Sequence, residues 1–206
     1  MTRAALLLLL LAVVAPVRAE TYRVDLIVFR NLWGTESGER APAARAVDLR
    51  GAIEPTDVAA LARAGIQLVP DGDFALGPEW ASLKSSKQFR PLIRLAWTQT
   101  DPPQDRGPSI LIRGGTKMTL TDPSGFGARE GMEIEGKVSL LLTRFLHLDA
   151  DLRYMEAGTE PLAIWPLTER RRMRRDELHH LDSPRLGIVA KVTKPPAPGM
   201  VVPPTE

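Results

Sequence analysis

Side chains fall into two sets with a period of two through residues 22–30, the first clear element of the chain. Val24, Leu26 and Val28 fall on one side of this segment, and the other side has Arg23, Asp25, Ile27 and Phe29. Successive side chains of a strand point to opposite faces of a sheet, so the alternation predicts a strand. The same reasoning predicts strands over residues 92–99 and 109–113.

The longest patterned stretch covers residues 133–154. Apolar residues fall mainly on its even-numbered positions, whereas charged residues fall mainly on the odd-numbered ones. This predicts one long strand, which must bend, and Gly136 is the candidate point. Leu146, Leu148 and Leu152 are predicted to be buried, with Asp149 on the opposite, wetter face.

Three further strands are predicted, over residues 162–173, 178–181 and 186–193. The sequence Ser183-Pro184-Arg185 has the composition of a turn, so it should join the last two strands into a hairpin.

Two helices interrupt the strands. Thr56 is the predicted cap of a short helix over residues 57–64, whose apolar stripe includes Val58, and Gly65 follows in the position that ends many helices. Pro78 predicts the first turn of a second helix, with Trp80 and Leu83 facing the core. A brief strand over residues 66–69 lies between them.

Many strands joined by short turns, with only two good helices, predict an α+β fold: a mainly antiparallel sheet with about two helices packed on one face. A β-sandwich is the runner-up if both helices prove short. Residues 20–194 are predicted to form a single domain. Residues 33–55 predict a long loop, and the Pro-rich residues 195–206 predict a disordered tail.

The first nineteen residues have the pattern of an export signal. Arg3 provides a positive start, an eleven-residue apolar run follows, and Ala19 precedes the expected cleavage point. The run is too short to span a bilayer as a helix. The sequence therefore predicts a signal peptide over residues 1–19 and a periplasmic protein that is not inserted in the membrane after signal removal.

The charge and the cysteine content exclude some classes of function. The chain has 27 Lys and Arg against 25 Asp and Glu; because the signal holds Arg3 and Arg18, the exported product has 25 of each. Such a neutral chain has no overall attraction to nucleic acid. With no cysteine, an exported protein has neither disulfides nor thiol chemistry. No cofactor is predicted.

An arginine-rich run over residues 170–175 is a candidate anion-binding patch. Five arginines between Glu169 and Asp182 face four acidic residues, so the local excess is about one positive charge. The count favours local ion pairs on a solvated hairpin. Arg171 is predicted to pair across that hairpin with Glu177 or Asp182.

No catalytic signature is found in the sequence: there is no nucleophile elbow, phosphate loop or zinc-protease motif. A metal site could combine His147 with His179 or His180 and Asp182, but strand spacing separates these donors. We therefore expect no metal and no enzymatic activity. A metal-assisted hydrolase using His147 and His179 remains the catalytic alternative.

Four segments resemble the CsiV family of proteobacterial periplasmic proteins. Residues 22–30 are similar to its first strand, and residues 144–152 and 92–99 to two later ones. The most specific likeness is at the end of the chain, where Arg171-Arg172-Met173, Glu177-Leu178-His179, Leu181-Asp182, Pro184 and Gly187-Ile188-Val189 resemble the family's ending. The chain departs from the family pattern at four positions: tyrosines are replaced by Phe89, Phe145 and His180, and a histidine is replaced by Ser183.

The resemblance implies a non-enzymatic, peptidoglycan-binding role in cell-wall assembly. Candidate ligand-binding residues are Arg171, Arg172, Glu177, His179, Asp182 and Trp165. Trp33 and Trp165 are the aromatic side chains considered for contact with glycan. An adaptor that docks on an envelope protein of the wall-synthesis machinery is the alternative partner class.

Overall fold

The computed structural model describes residues 19–33, 41, 47–121, 128–159 and 162–195. The predicted signal peptide (apart from Ala19), most of the predicted tail and part of the predicted 33–55 loop lie outside these ranges. The strands are β1 Thr21–Asn31, β2 Ala52–Ile53, β3 Ile66–Leu68, β4 Phe89–Thr100, β5 Ser109–Thr121, β6 Ala128–Leu142, β7 Leu146–Glu156, β8 Ala163–Met173, β9 Leu178–Asp182 and β10 Leu186–Thr193. The helices are α1 Val58–Arg63 and α2 Gly77–Ser85.

The strands form two five-stranded sheets. The first has the order β3-β4-β1-β10-β9 and the second β2-β5-β6-β7-β8. All neighbouring strands run antiparallel except β2 and β5. The α+β prediction with mainly antiparallel strands is confirmed, and the strands are divided between two sheets.

One hydrophobic core lies between the sheets. Val24, Leu26 and Val28 of β1 are fully buried in it, together with Leu148 and Leu152 of β7. The even-numbered positions of both strands therefore face inward, as the alternation predicts. The predicted burial of Leu146 is also confirmed.

The opposite face of β1 is covered as well. Ile27 and Phe29 are buried, and Asp25 is only 1% exposed. The Asp25 carboxylate accepts hydrogen bonds from Arg23 and from the backbone N–H of Ala75, which precedes α2. A buried carboxylate needs such partners, since water no longer solvates it. The segment before α2 is thereby fixed to the centre of the first sheet.

The helices differ in detail from the prediction. Asp57, not Thr56, caps α1, because its side chain accepts the N–H of Ala60. Val58 is 70% exposed, and Leu61 is the residue of α1 that enters the core. No residue of α2 is fully buried; Trp80 lies half-buried against the Arg94 guanidinium of β4.

The predicted single strand over residues 133–154 is wrong. It is a hairpin, in which β6 ends at Leu142 and β7 begins at Leu146. The turn is closed by hydrogen bonds between Thr143 and Phe145. Gly136 is not a bend; it lies where the backbone of β7 passes so close that a Cβ atom would be 2.3 Å from the Asp151 carbonyl oxygen.

Candidate functional site

The six residues predicted to bind ligand do not converge on one site. Arg171 and Arg172 lie near the end of β8, and Glu177 and His179 follow in and around the next connection. Trp165 lies near the start of β8, at the opposite end of the strand. Asp182 is exposed at the end of β9, next to the turn that leads into β10.

A pocket of about 350 Å³ lies where β6, β7 and β8 meet the start of β1. We call it the arginine pocket; its lining is Glu20, Tyr22, Leu142, Arg144, Phe145, Leu146, Arg172, Met173, Arg174 and Arg175. Four arginines and one glutamate give this lining an excess of three positive charges. The charge balance of the whole chain conceals this local field.

Phe145 forms an exposed aromatic surface in the arginine pocket. The tight β6–β7 turn leaves the side chain 36% exposed. The Arg172 guanidinium carbon lies 3.4 Å from the centre of the Phe145 ring, and that of Arg144 lies 5.4 Å from it. Among the described residues neither guanidinium forms an ion pair, so both keep their donors available for an anion.

The remaining arginines of the run are paired with acids. Arg170 contacts Asp149 at 2.7 Å and Arg171 contacts Glu169 at 3.4 Å. Arg174 lies 3.7 Å from Glu177, and Arg175 lies 3.8 Å from Glu20.

The predicted pairing of Arg171 with Glu177 or Asp182 is wrong. Arg171 is on β8 of the second sheet, whereas β9 belongs to the first sheet. Consecutive strands therefore do not pair here, and the cross-strand neighbour of Arg171 is Leu148 on β7. The local charge count was right in favouring ion pairs, because four of the five arginines have one.

His179 holds the backbone beside the pocket. Its Nε2 accepts the N–H of Arg174 at 2.9 Å. His147, the other histidine of the hydrolase alternative, has its Nδ1 2.9 Å from the Phe145 carbonyl oxygen. No group of three side chains suited to a metal occurs within the described ranges. His179 is thus a positioning residue for Arg174.

Glu20 and Tyr22 form the acidic corner of the pocket. A hydrogen bond from the Tyr22 hydroxyl lowers the pKa of Glu20, and the Lys194 ammonium at 2.9 Å acts in the same direction. Burial, followed by the negative Glu20 beside it, raises the pKa of Tyr22 to about 12. The corner stays fixed as one carboxylate and one neutral phenol across the physiological pH range.

The sequence reasoning missed Phe145 as a site residue. The predicted strand over residues 133–154 places Phe145 in its interior, because the sequence pattern does not reveal the turn. The adjacent Arg144 was missed for the same reason. The signal that could have identified the turn is Thr143-Arg144, which breaks the even-numbered apolar pattern once, at Arg144.

A second charged cluster lies at the other end of the sheets, around Trp165. Trp165 is buried and donates its indole N–H to Glu156 at 2.9 Å. Glu156 belongs to a group of four charged side chains that we call the sheet-end cluster: Arg30, Glu133, Glu156 and Arg185. Only Trp165 of this region was predicted as a site residue.

A groove of about 520 Å³ lies between α1 and β3, lined by residues such as Leu61, Leu68 and Thr98. Within the described ranges neither helix has the length and apolar character needed to cross a bilayer.

Residues 3–195 match a family model described as "Peptidoglycan-binding protein, CsiV". No curated protein matches the chain, and no solved structure does. The matched range includes both the arginine pocket and the sheet-end cluster.

Proposed function

The chain belongs to the CsiV family of peptidoglycan-binding proteins, and from this premise we propose that it is a non-enzymatic periplasmic accessory protein of cell-wall assembly that binds peptidoglycan at the arginine pocket. The carrying observation is the pair of guanidinium groups at the exposed Phe145 ring. Arg144 and Arg172 lack acidic partners among the described residues, although neighbouring arginines of the run have them.

The chemistry of the pocket suits the wall polymer. Peptidoglycan carries free carboxylates on its stem peptides, and its sugars present C–H faces. Guanidinium groups bind carboxylates through paired hydrogen bonds. An exposed aromatic ring packs against the apolar face of a sugar, because part of the ring surface is then removed from water. Arg172 and Phe145 place both groups within one pocket.

Sedimentation with purified sacculi tests this function. We expect the wild-type protein to pellet with sacculi, and Arg172→Gln and Phe145→Ala to leave several-fold more protein in the supernatant. Arg170→Gln is the matched control, since Arg170 lies on the same strand but outside the pocket lining and is paired with Asp149.

Two results would count against the proposal in different ways. If the wild-type protein stays in the supernatant at low and moderate salt, peptidoglycan binding by this chain is wrong. If the wild type pellets and Arg172→Gln and Phe145→Ala pellet equally well, the protein binds the wall elsewhere.

A second candidate function is an adaptor that docks on an envelope protein. The observation in its favour is Leu178, which is 52% exposed on the edge strand β9. An edge strand can accept a partner strand through its unpaired backbone groups. Leu178→Lys should then prevent cross-linking to an envelope protein while sacculus binding is unchanged; unchanged cross-linking would argue against this surface.

A further inference from the structure

The sheet-end cluster joins the two sheets through four charged side chains. Arg30 lies at the end of β1 and Arg185 precedes β10 in the first sheet, while Glu133 and Glu156 belong to β6 and β7 of the second. The side chains are largely buried, with exposed fractions of 22% for Arg30, 11% for Arg185, 6% for Glu133 and 14% for Glu156.

Arg30 is held in place without a hydrogen bond. Its Nη1 is 3.8 Å from Glu133 Oε1, and its Nη2 is 3.6 Å from Glu156 Oε1. Both distances are too long for hydrogen bonds. Its Nε is buried and has no acceptor, and the same is true of the Arg185 Nε. The five N–H donors of the Arg30 guanidinium therefore have no hydrogen-bond acceptor within the described ranges.

The two glutamates that pair with Arg30 do accept hydrogen bonds from other residues. Glu156 accepts the Trp165 indole N–H and lies 3.0 Å from Arg185 Nη2. Glu133 Oε2 accepts the backbone N–H of Thr116 at 3.0 Å. Its other oxygen, Oε1, accepts no hydrogen bond from a described residue. Glu133 Oε1 and Arg30 Nη1 therefore form an ion pair at 3.8 Å, and each keeps a hydrogen-bonding capacity that no described residue uses.

Aromatic rings lie against both guanidinium groups of the cluster. The Arg30 guanidinium lies 4.9 Å from the centre of the Tyr154 ring, and that of Arg185 lies 5.9 Å from the Trp165 ring. Trp33 is 52% exposed beside Leu32, whose carbonyl oxygen accepts a hydrogen bond from Arg185 at 3.1 Å. Rigid aromatic contacts fix the guanidinium groups, so an incoming group would meet preorganised donors.

We propose that the sheet-end cluster is a second binding site, which takes the ammonium and carboxylate of a free α-amino acid end. The carboxylate would accept hydrogen bonds from Arg30, and the ammonium would donate to Glu133. The cluster holds two positive and two negative side chains, so a zwitterion preserves its neutrality, whereas a lone anion or cation would leave a net charge partly buried.

The choice of ligand rests on the proposed function, because peptidoglycan contains a free α-amino acid end. The diaminopimelate side chain of a wall peptide ends in one carbon that carries both an ammonium and a carboxylate when it is not cross-linked. A cross-link through this position converts that ammonium into an amide. The cluster would then distinguish peptides whose diaminopimelate amine is free from those whose amine is cross-linked.

Titration of the full protein with three small molecules tests the site. The probes are meso-diaminopimelic acid, pimelic acid, which lacks the ammonium groups, and 1,5-diaminopentane, which lacks the carboxylates. The signal is the Trp165 indole N–H in nuclear magnetic resonance spectra, because this group donates a hydrogen bond to Glu156 in the cluster. We expect a saturable shift with meso-diaminopimelic acid and none with either analogue.

Variants locate the binding. Arg30→Lys keeps the charge but removes the planar donors, and should weaken meso-diaminopimelic acid binding roughly tenfold or more. Arg170→Gln, outside both sites, should bind as the wild type does. The wild-type titrations need no variant, so they decide the matter even if Arg30→Lys does not fold.

The two proposals fail separately. No saturable shift at millimolar meso-diaminopimelic acid, or an equal shift with pimelic acid, overturns the zwitterion site even if the protein pellets with sacculi. A saturable shift in a protein that does not pellet supports the site and contradicts peptidoglycan binding by the arginine pocket. An unaltered affinity in folded Arg30→Lys overturns the role of Arg30.

Discussion

At Gly136 an added methyl group would meet the backbone of the neighbouring strand. A Cβ atom there would lie 2.3 Å from the Asp151 carbonyl oxygen and 2.6 Å from the Leu152 Cα, both in the backbone of β7. Gly136→Ala should therefore separate two central strands and lower the free energy of unfolding by about 3 kcal/mol or more. Urea unfolding measures this.

Gly72→Ala is the control for this change, since its Cβ would have no atom within 4 Å. It should alter the free energy of unfolding by no more than about 1 kcal/mol. Equal stability of the two variants would show that β6 and β7 are not packed as described.

Leu148 and Val58 test which apolar residues form the core. Leu148 is fully buried between the sheets, whereas Val58 is 70% exposed on α1. Leu148→Ala should cost about 2–5 kcal/mol, because it removes contacts and leaves a cavity. Val58→Ala should change stability by about 0.5 kcal/mol or less. Thermal and urea unfolding measure the stability of both variants. A larger loss for Val58→Ala than for Leu148→Ala would contradict the inward face of β7.

The two tyrosines couple stability to alkaline pH. Burial raises the pKa of Tyr154 to about 12, from a usual value of 10.0. Since the raised pKa belongs to the folded state, the neutral phenol contributes its full stability below pH 10, and this is lost as the pH rises towards 12. The loss for Tyr154 amounts to about 2–3 kcal/mol.

Tyr154→Phe separates this effect from other alkaline changes. Between pH 10 and pH 12 its stability should fall less steeply than that of the wild type, because only Tyr22 then remains. Urea midpoints across this range measure the slope. Ultraviolet titration should show no folded tyrosine ionising near pH 10, and a normal titration there would contradict the burial of Tyr154.

At the scale of the element, the surroundings of Arg171 on β8 explain why we expect it to contribute little to stability or to binding. Its one ion pair, with Glu169, spans 3.4 Å between half-exposed side chains. Such pairs contribute about 0–1 kcal/mol. Arg171→Ala should leave the melting temperature nearly unchanged and leave sacculus binding intact. A drop in binding at unchanged stability would extend the arginine pocket to Arg171.

The alternation of residues predicted the strands well but not where one of them turns. Leu142 and Leu146 are direct partners across the β6–β7 hairpin, so even-numbered residues face the core on both sides of the turn. The period of two therefore resumes in the same phase after the turn, and Arg144 is its one interruption there. Thr143-Arg144-Phe145 also contains none of the Gly, Pro or Asn residues that indicate turns.

One strand is longer than the sequence pattern predicts. The predicted strand ends at Arg113, yet β5 continues to Thr121 through an irregularity at Gly114 and Gly115. Gly115 has a φ of +83° and lies against Glu133. This bulge brings the Thr116 N–H to the Glu133 carboxylate, a contact between residues that no short-range pattern in the sequence connects.

At the scale of the whole molecule, the sites depend on how the sheets are assembled. The sequence indicated an arginine-rich run and placed Arg172 in it, because composition is local. It could not show that Phe145 comes to lie beneath Arg172, since that contact needs the β7–β8 pairing. The sheet-end cluster joins Arg30 to Glu133 and Glu156 of the other sheet, so only the tertiary structure reveals it.

The position of β1 also governs how this protein can fold. β1 is the first strand in the chain, yet it lies at the centre of its sheet, between β4 and β10, with Arg23 opposite Thr193. Closing so long a stretch of chain costs entropy before it gains contacts, and topologies of this kind fold slowly, in about milliseconds to seconds. While only the part of the chain up to β9 is available, one edge of β1 stays unpaired and the apolar face of β1 is exposed. Folding is therefore completed only when the last strand is available, and until then the first strand is the part of the chain most in need of protection from aggregation.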